Sequence, residues 1–588
     1  MIARRYGLLA LVIAIVLMAV LPLPDFWISQ LNYIALYALV GIGLVLLTGV
    51  AGLTSFGQAA FVGMGAYTTA WLTLNAGLSP WLTLFIGLAI TGVSALILAG
   101  ITLRMSGHYL PLATMAWGLS LYYLMGNLEE LGKYDGLLGI QGLSLFGWDI
   151  GQGRGFFLLA WGVVVLAAVA ILHLLDSRPG RAMRSLRTGT QMAEAMGVNT
   201  LRYKIIIFVI AALLASVSGW LFAHFQHSVN PSPFGLKMGI EYLFMTVVGG
   251  IGHVWGAITG ALLTKLLEDQ LQVLLPRLIG TSGSYETIVF GIVLVLTLKF
   301  LPNGLWSLIE KKLPRPQRLV DWANAPVLFE RDKPIAGELV LDVQAIRKQF
   351  GGLVAVNDIS FQIKAGQIVG LIGPNGAGKS TTFNLITGVL SLTTGKVVFR
   401  GEPISGHRSR EIASRGMSRT FQHVKMIPDM TVLENVALGA HLRGAKGVLS
   451  AMTRVNRDEE RQLFREAQTQ LERIGMGAYL HEQAGNLAMG PQRLMEIARA
   501  LCSDPALLLL DEPAAGLRHK EKQALAAVLR QLRGEGMSIL LVEHDMDLVM
   551  DVCDHLVVME FGTLLTEGTP VEIQQSPQVR AAYLGTEH

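Results

Sequence analysis

Between Phe26 and Leu103 the chain carries no Asp, Glu, Lys, Arg or His. Charged side chains make up about a quarter of an ordinary globular chain and keep its surface in water, so a run of this length cannot belong to a soluble domain. Of 588 residues, 52% are hydrophobic and 15% are charged, and the charge is gathered after about residue 310. A membrane half therefore precedes an aqueous half. The balance of 47 basic against 43 acidic residues leaves a formal charge of +4, which gives no case for a nucleic-acid partner. Cys502 and Cys553 lie far apart in the aqueous half, outside any CxxC or histidine-rich spacing, and read as reduced cytoplasmic residues.

A membrane span needs about 20 mainly apolar residues. Such windows fall at Gly7–Leu23, Leu31–Val50, Phe56–Leu74, Trp81–Leu103, His108–Met125, Gly155–Leu175 and Ile205–Phe222, followed by a broken stretch from Ile240 to Leu267 and a last window at Glu286–Leu301. Pro22, Pro24, Asp25 and Phe26 stand where a signal peptide would carry small residues at its cleavage site, so the first window reads as a span. Arg4 and Arg5 place the N-terminus in the cytoplasm, and the cluster Arg178, Arg181, Arg184, Arg187 follows six crossings later on the same side. The break at Gly249-Gly250-Ile251-Gly252 favours about ten crossings over eight plus a re-entrant segment, and it belongs in the bundle interior, where protein or a water-filled cavity satisfies the backbone.

Leu53 to Ala60, followed by Gly63, Gly65 and Tyr67, is a second irregular place, whose small residues permit close helix approach. Ser55 and Gln58 need either an interhelical hydrogen bond or a place on a substrate path. Glu241 opens the broken stretch, where it suits either a helix N-terminus or a gate on the same path. The segment from Arg178 to Gly197 is basic and helical, with Met183, Leu186, Met192 and Met196 as an apolar stripe. It reads either as a helix lying on anionic membrane lipid or as a docking loop.

Pro302 to Leu339 lacks apolar periodicity and reads as a linker. Strands are expected at Leu339–Val343, Ile359–Ile363 and Gln367–Ile372, and the last runs into Gly373-Pro374-Asn375-Gly376-Ala377-Gly378-Lys379-Ser380-Thr381. This is the phosphate-cradling loop G-x-x-x-x-G-K-[ST] in its required context of strand before and helix after. Its glycines let backbone N–H groups turn toward phosphates, and the helix N-terminus adds its positive end. Lys379 would bridge the β- and γ-phosphates of ATP, and Ser380 would hold Mg²⁺. The apolar run Ala506–Leu510 ends in Asp511, suited to the Mg²⁺ shell, and Glu512, suited to orienting the attacking water.

The order of these motifs resembles the ABC ATPase family over residues 339–588. The resemblance implies that Gln422, in Arg419-Thr-Phe-Gln422, links the nucleotide and its Mg²⁺ to the permease. It also implies that His544 contacts the γ-phosphate and that Phe350 stacks on adenine. The family's Leu-Ser-Gly-Gly-Gln signature stands here as Leu487-Ala488-Met489-Gly490-Pro491, and the later loop carries Arg518 where Asp or Asn is usual. In that family ATP is sandwiched between two such domains, so the resemblance implies that these departures weaken the partner's site and leave the N–H of Gly490 to supply phosphate contact there.

The aqueous half is more closely similar to the ATPase subunits of branched-chain amino acid (Liv-type) importers, through Phe350–Asn357, Gly370–Lys379, Glu512–Leu517, Glu543–Met546 and Ala582–Gly585. Residues 28–302 resemble the permeases of those systems, through Ser55–Tyr67 and Glu241–Gly252. The loop ending Ala193-Glu194-Ala195-Met196-Gly197 resembles the one by which importer permeases dock on their ATPases, which makes Glu194, Ala195 and Gly197 coupling residues. The resulting expectation is an all-α polytopic membrane domain (1–302), a linker (303–338) and an α/β P-loop ABC-type nucleotide-binding domain (339–588) in the cell inner membrane. The resemblance implies a second permease subunit, a second ABC ATPase subunit, an extracytoplasmic solute-binding protein and a small-molecule substrate. An ABC exporter is the competing reading, although exporters favour about six long spans with extended cytoplasmic helices.

Overall fold

The computed structural model describes residues 2–104, 109–145, 147–279, 286–310, 312, 322 and 324–584. His108 at the head of the fifth window, Lys311, Pro314 and Pro316 of the linker, and Gly585 lie outside them. The chain forms two compact units. The first comprises residues 1–176, 201–318 and 451–453, and the second comprises 177–200, 319–450 and 454–588.

In the first unit the helices are α1 (Ile2–Val20), α2 (Asp25–Leu44), α3 (Gln58–Asn75), α4 (Pro80–Thr102), α5 (Tyr109–Asn127) and α6 (Gly153–Leu175). The chain passes through α7 (Arg178–Thr188) and α8 (Thr190–Ala195) of the second unit, then returns as α9 (Thr200–Gln226), α10 (Leu236–Gly249), α11 (Val254–Ile279), α12 (Glu286–Phe300) and the short α13 (Trp306–Glu310). Two-residue strands β1 (Leu137–Leu138), β2 (Ser144–Leu145), β3 (Trp148–Asp149) and β4 (Ser228–Val229) pair β1 with β4 and β2 with β3. Among the described residues each apolar window of the sequence is mainly helical. Among the described residues four helices are long and apolar enough to cross a membrane, or five if the pair Leu236–Gly249 and Val254–Leu275, bent by 115°, is one span.

Helix α2 is the centre of this unit, since its second half is apolar on every side and buried. It ends in a π-helical turn, Val45–Val50, and residues 52–57 are non-helical. That irregular backbone is satisfied by protein: Leu53 N–H donates to Leu47 O at 2.8 Å, and Phe56 N–H to Thr114 Oγ1 at 3.2 Å. The break after α10 is satisfied in the same way. Gly250, at φ +130°, donates to Thr246 O at 3.0 Å, and Leu305 N–H donates to Val248 O at 2.9 Å. Helix α10 begins at Leu236, so Glu241 is its sixth residue and pairs with Lys237 at 3.7 Å. The helix-terminus reading of Glu241 therefore does not hold.

The second unit contains β5 (Leu339–Phe350), β6 (Leu353–Lys364), β7 (Ile368–Ile372), α14 (Lys379–Ile386), β8 (Thr394–Phe399), β9 (Glu402–Pro403), α15 (Ser409–Ser414), β10 (Met417–Arg419), α16 (Val432–Ala437) and α17 (Val448–Met452), the last crossing into the first unit. It continues with α18 (Arg457–Arg473), α19 (Met489–Leu501), β11 (Leu507–Asp511), α20 (His519–Gly534), β12 (Ser538–Val542), α21 (Met546–Val552), β13 (His555–Glu560), β14 (Thr563–Gly568), α22 (Pro570–Gln575) and α23 (Pro577–Leu584). A six-stranded sheet, ordered β10-β11-β12-β7-β13-β14, is parallel except for β14. Its central strands β7, β11 and β12 are buried throughout, as an interior parallel sheet requires. Loops carrying function leave its C-terminal edge. A second, antiparallel sheet is ordered β6-β5-β8-β9. Strands β5 and β6 outrun their expected lengths because they form one long hairpin that turns at Gly351-Gly352.

Helices α3 and α9 meet at backbone distance, where an added Cβ would lie 2.1 Å from Ser216 O at Gly65 and 1.8 Å from Val62 O at Gly219. Gly219→Ala should therefore cost about 1–3 kcal/mol and lower the melting temperature of the full chain in detergent. Gly162→Ala on α6, where an added Cβ meets no heavy atom within 4 Å, should be neutral or gain up to about 1 kcal/mol. Equal melting shifts for the two variants would contradict this packing.

Candidate functional site

The apolar β7 delivers the chain to Gly373, and three residues of the following loop, Gly373, Gly376 and Gly378, have φ of +151°, +84° and +93°. Side chains rarely adopt these conformations, so the glycines let the loop curl ahead of α14. Lys379 opens that helix and is buried, with Nζ donating to Gly373 O at 2.6 Å and Pro374 O at 2.9 Å. Burial holds its pKa below the usual lysine value, against the pull of Glu512. Ser380 and Thr381 follow on the first turn, and Asn375 and Gly376 are exposed. Ala377 O accepts from Gly562 N–H at 3.1 Å, and a Cβ on Gly378 would stand 2.6 Å from Ala355 O, so β6 and the β13–β14 turn brace the loop.

Asp511 ends β11, two strands from β7, and is 5% exposed. Burial lifts its carboxyl to about 6, opposed by the Arg419 guanidinium 3.8 Å away and reinforced by Glu512. Among the described residues Asp511 Oδ1 is buried without a hydrogen-bond partner. A bare, buried carboxylate oxygen suits a hard divalent cation, and no three His, Cys, Asp or Glu of the described residues form a closed metal cage. The remaining ligands of such a cation would be phosphate and water. Glu512 has φ +47°, is held by its N–H to Val542 O at 2.8 Å, and accepts Gln422 Nε2 at 3.0 Å. The structure thus joins Gln422 to Glu512 directly.

Several supporting residues are given no role by the motifs of the sequence. Glu543 is fully buried at the end of β12, with Oε1 accepting Ala514 N–H at 2.6 Å and Oε2 accepting His544 N–H at 3.0 Å. It ties the loop after Glu512 to the backbone of His544, whose side chain stays exposed. From α19, Arg493 donates to Phe421 O at 3.0 Å and Gln422 O at 2.6 Å, and Arg499 donates to Lys425 O at 2.6 Å. The Gln422 loop is therefore gripped by the helix that carries the altered signature. A charge at every third or fourth position of that helix was the available clue. Gly490 lies in the first turn of α19 against Glu521, where a Cβ would stand 2.6 Å from Oε1. Among the described residues no hydrogen bond joins Leu487–Pro491 to the Gly373–Thr381 loop. Phe350 is 45% exposed at the β5–β6 turn, with Lys348 Nζ 5.0 Å from its ring centre.

The loop 177–200 is built into this same unit. Ser177 caps α7 by accepting Gly180 N–H, and Met183, Leu186, Met192 and Met196 are all buried. Arg181 is 2% exposed, with Nη1 2.8 Å from Glu460 Oε2 and its guanidinium 4.7 Å from the Phe464 ring centre. Arg178 donates to His441 O at 2.8 Å and Lys446 O at 2.6 Å and lies 3.3 Å from Glu459 Oε1. These burials argue against a helix resting on lipid. Glu194 accepts Thr200 Oγ1 at 2.9 Å, capping the start of α9, Ala195 is buried, and Gly197, at φ +80°, leaves no room for a Cβ beside Leu442. In the first unit Ser55 is buried and accepts Gly57 N–H at 3.3 Å, a local bond. Gln58 opens α3 at 1% exposure, and among the described residues neither its amide oxygen nor its nitrogen has a partner.

Glu512→Gln preserves the hydrogen bond to Gln422 but removes a charge, whereas Lys379→Ala deletes a cation from the phosphate loop. ATP hydrolysis should fall by at least about 100-fold in both, while ATP affinity stays near wild type in the first and drops by about tenfold or more in the second. Equal loss of nucleotide binding in the two variants would contradict the assignment.

Residues 27–298 match the family described as branched-chain amino acid transport system / permease component. Residues 356–515 match the ABC transporter family, and residues 563–588 the branched-chain amino acid ATP-binding cassette transporter family. The high-affinity branched-chain amino acid transport ATP-binding protein LivG of Salmonella typhimurium is 44% identical over 249 residues, 42% of this chain and 98% of that protein. BraF of Pseudomonas aeruginosa, described in the same terms, is 42% identical over 249 residues, again 42% of this chain and 98% of that protein. A crystal structure of a nucleotide-free ATP-binding cassette from an ABC transporter is 31% identical, with a TM-score of 0.38 over 42% of this chain and 99% of its own. The chain belongs to the branched-chain amino acid ABC transporter family and joins a permease component to an ATP-hydrolysing component in one polypeptide.

Proposed function

We propose that this protein is half of an ABC importer that uses ATP hydrolysis to take up branched-chain amino acids or related small amphipathic solutes, delivered by an extracytoplasmic solute-binding protein. The observation that carries the reading is the loop 177–200: it lies between two membrane helices in sequence yet is folded into the ATPase unit, with Arg178 and Arg181 buried. Work done at the nucleotide can reach the spans through such a joint.

Helices α1 to α6 and α9 to α12 supply ten crossings, with α10 and α11 as separate ones. An even number puts the N-terminus and the ATPase on one side, the cytoplasm, in the inner membrane. Lys379 and the Gly373–Gly378 backbone bind the phosphates, and Thr381 extends the cradle. Ser380, Asp511 and Gln422 would hold Mg²⁺, which would supply positive charge against the phosphate oxygens. Glu512 orients the attacking water, His544 senses the γ-phosphate, and Phe350 lies against the base. Glu194, Ala195 and Gly197 shape the coupling loop.

On the permease side Gly239 of α10 packs so close to Phe56 that a Cβ would stand 2.3 Å from its carbonyl oxygen, which brings the segment bearing Ser55 and Gln58 against the helix bearing Glu241. The unpartnered Gln58 amide supports a place on the solute path. An apolar cavity of about 330 Å³ lies farther along α3, lined by Tyr67, Trp71, Leu121 and Met125, which suits an apolar amino-acid side chain.

The altered Leu487–Pro491 and Arg518 favour an unlike ATPase partner, because a homodimer would place both changes at both ATP sites. Produced together with a second permease, a second ATPase and the binding protein, the chain should purify as one copy per complex. Vesicles holding that complex should accumulate radiolabelled L-leucine only with ATP and Mg²⁺. The chain alone, forming a homodimer that transports leucine without other subunits, would contradict the reading, as would a complex that hydrolyses ATP but moves no apolar amino acid.

A further inference from the structure

The segment that joins the two halves is expected from sequence to be a tether, yet its later part is fastened along the ATPase surface. Trp322, Ala325 and Leu328 are 6%, 5% and 8% exposed. Trp322 Nε1 donates to Gln468 Oε1, and Arg465 Nη1 donates to Ala325 O, both on α18. Farther on, Arg443 donates to Phe329 O at 2.9 Å, Arg331 N–H donates to Asp504 Oδ2 at 2.6 Å, and Lys333 pairs with Asp504. The segment therefore runs from α18 to the loop that enters β11.

Phe464 of α18 links this segment to the loop 177–200. Its ring is 5.6 Å from that of Trp322, at 32°, and 4.7 Å from the guanidinium of Arg181. Among the described residues Arg181 Nε and Nη2 are buried without hydrogen-bond acceptors, so its orientation rests on Glu460 and on the face of Phe464. A cation desolvated against a ring depends on the ring staying where it is. Phe464 cannot tilt without displacing the indole, whose N–H is anchored on the next turn of the same helix.

We propose that Trp322 is a positioning residue for the coupling joint, fixing the Phe464 ring on which Arg181 rests, so that the fusion segment itself sets how firmly the permease loop is held. The ABC transporter match begins at residue 356, so this residue lies before the part of the chain shared with that family. The inference rests on the coupling reading only for its consequence in transport, not for the contact it describes.

The test is hydrogen–deuterium exchange on the full chain in its complex, alongside ATP-driven L-leucine uptake. Trp322→Ala should speed exchange of residues 178–188 about tenfold while leaving β7, β11 and β12 protected. ATPase activity in detergent should stay within about twofold, and leucine moved per ATP should fall about fivefold. Trp322→Phe, which keeps a ring but not the indole N–H, should restore most of the protection and of the uptake. Unchanged exchange at 178–188 in the alanine variant would overturn the proposal. So would a phenylalanine variant as impaired as alanine, or loss of protection that spreads through α18 and the sheet, which would mark a merely structural residue. If Trp322→Ala loosens the loop and Arg181→Ala leaves uptake unchanged, the positioning stands and the coupling reading fails.

Discussion

Burying Arg181 removes a permanent cation from water, and the structure compensates with one carboxylate, Glu460, and one aromatic face, Phe464. Losing either partner of a buried pair strands a desolvated charge, typically at about 3–5 kcal/mol. That penalty holds the loop in place: residues 177–200, between α6 and α9, cannot leave the ATPase unit without exposing two arginines and four apolar side chains. The carboxylates that hold it, Glu459 and Glu460, stand in the first turn of α18, where negative charge is favoured by the helix itself.

The same economy governs the nucleotide site. The Arg419 guanidinium stands 4.6 and 4.7 Å from the Phe383 and Phe421 ring centres and 3.8 Å from Asp511, so this buried carboxylate is tuned by a neighbouring cation. Arg493 and Arg499 carry constraint from α19 into the Gln422 loop, and Glu496 accepts Lys425 N–H at 2.9 Å on the same surface. A change at the signature end of α19 is thereby positioned to reach both Gln422 and, through it, Glu512. In the two irregular backbones of the first unit, residues 45–57 and 249–253, other backbone and threonine groups meet hydrogen bonds that the helices leave open.

The sequence carried the architecture clearly where a single physical demand dominates. Apolar windows became helices because nothing else satisfies backbone groups in lipid, and the phosphate loop was legible because its glycines, lysine and serine occupy consecutive positions. Contacts distant in sequence left no such trace. Nothing in Arg181 announces Glu460, and Trp322 stands in a stretch whose composition reads as a loose linker. Glu241 shows a boundary error, since the helix starts four residues before the apolar run at Ile240 because Leu236 and Met238 already favour it. Glu543 was hidden by its neighbour, as His544 drew the functional reading while the buried carboxylate does the positioning.

The central claim is that ATP-driven work passes to the membrane helices through the buried Arg181–Glu460 pair. A double-mutant cycle on ATP-driven leucine uptake by the assembled transporter, with Arg181→Ala, Glu460→Ala and the two combined, tests it most directly. The account predicts strong non-additivity: each single change lowers uptake about tenfold or more, and the combination is no worse than either alone, because both remove one interaction. Losses that simply multiply in the combined variant, or uptake that survives either single change, would contradict it.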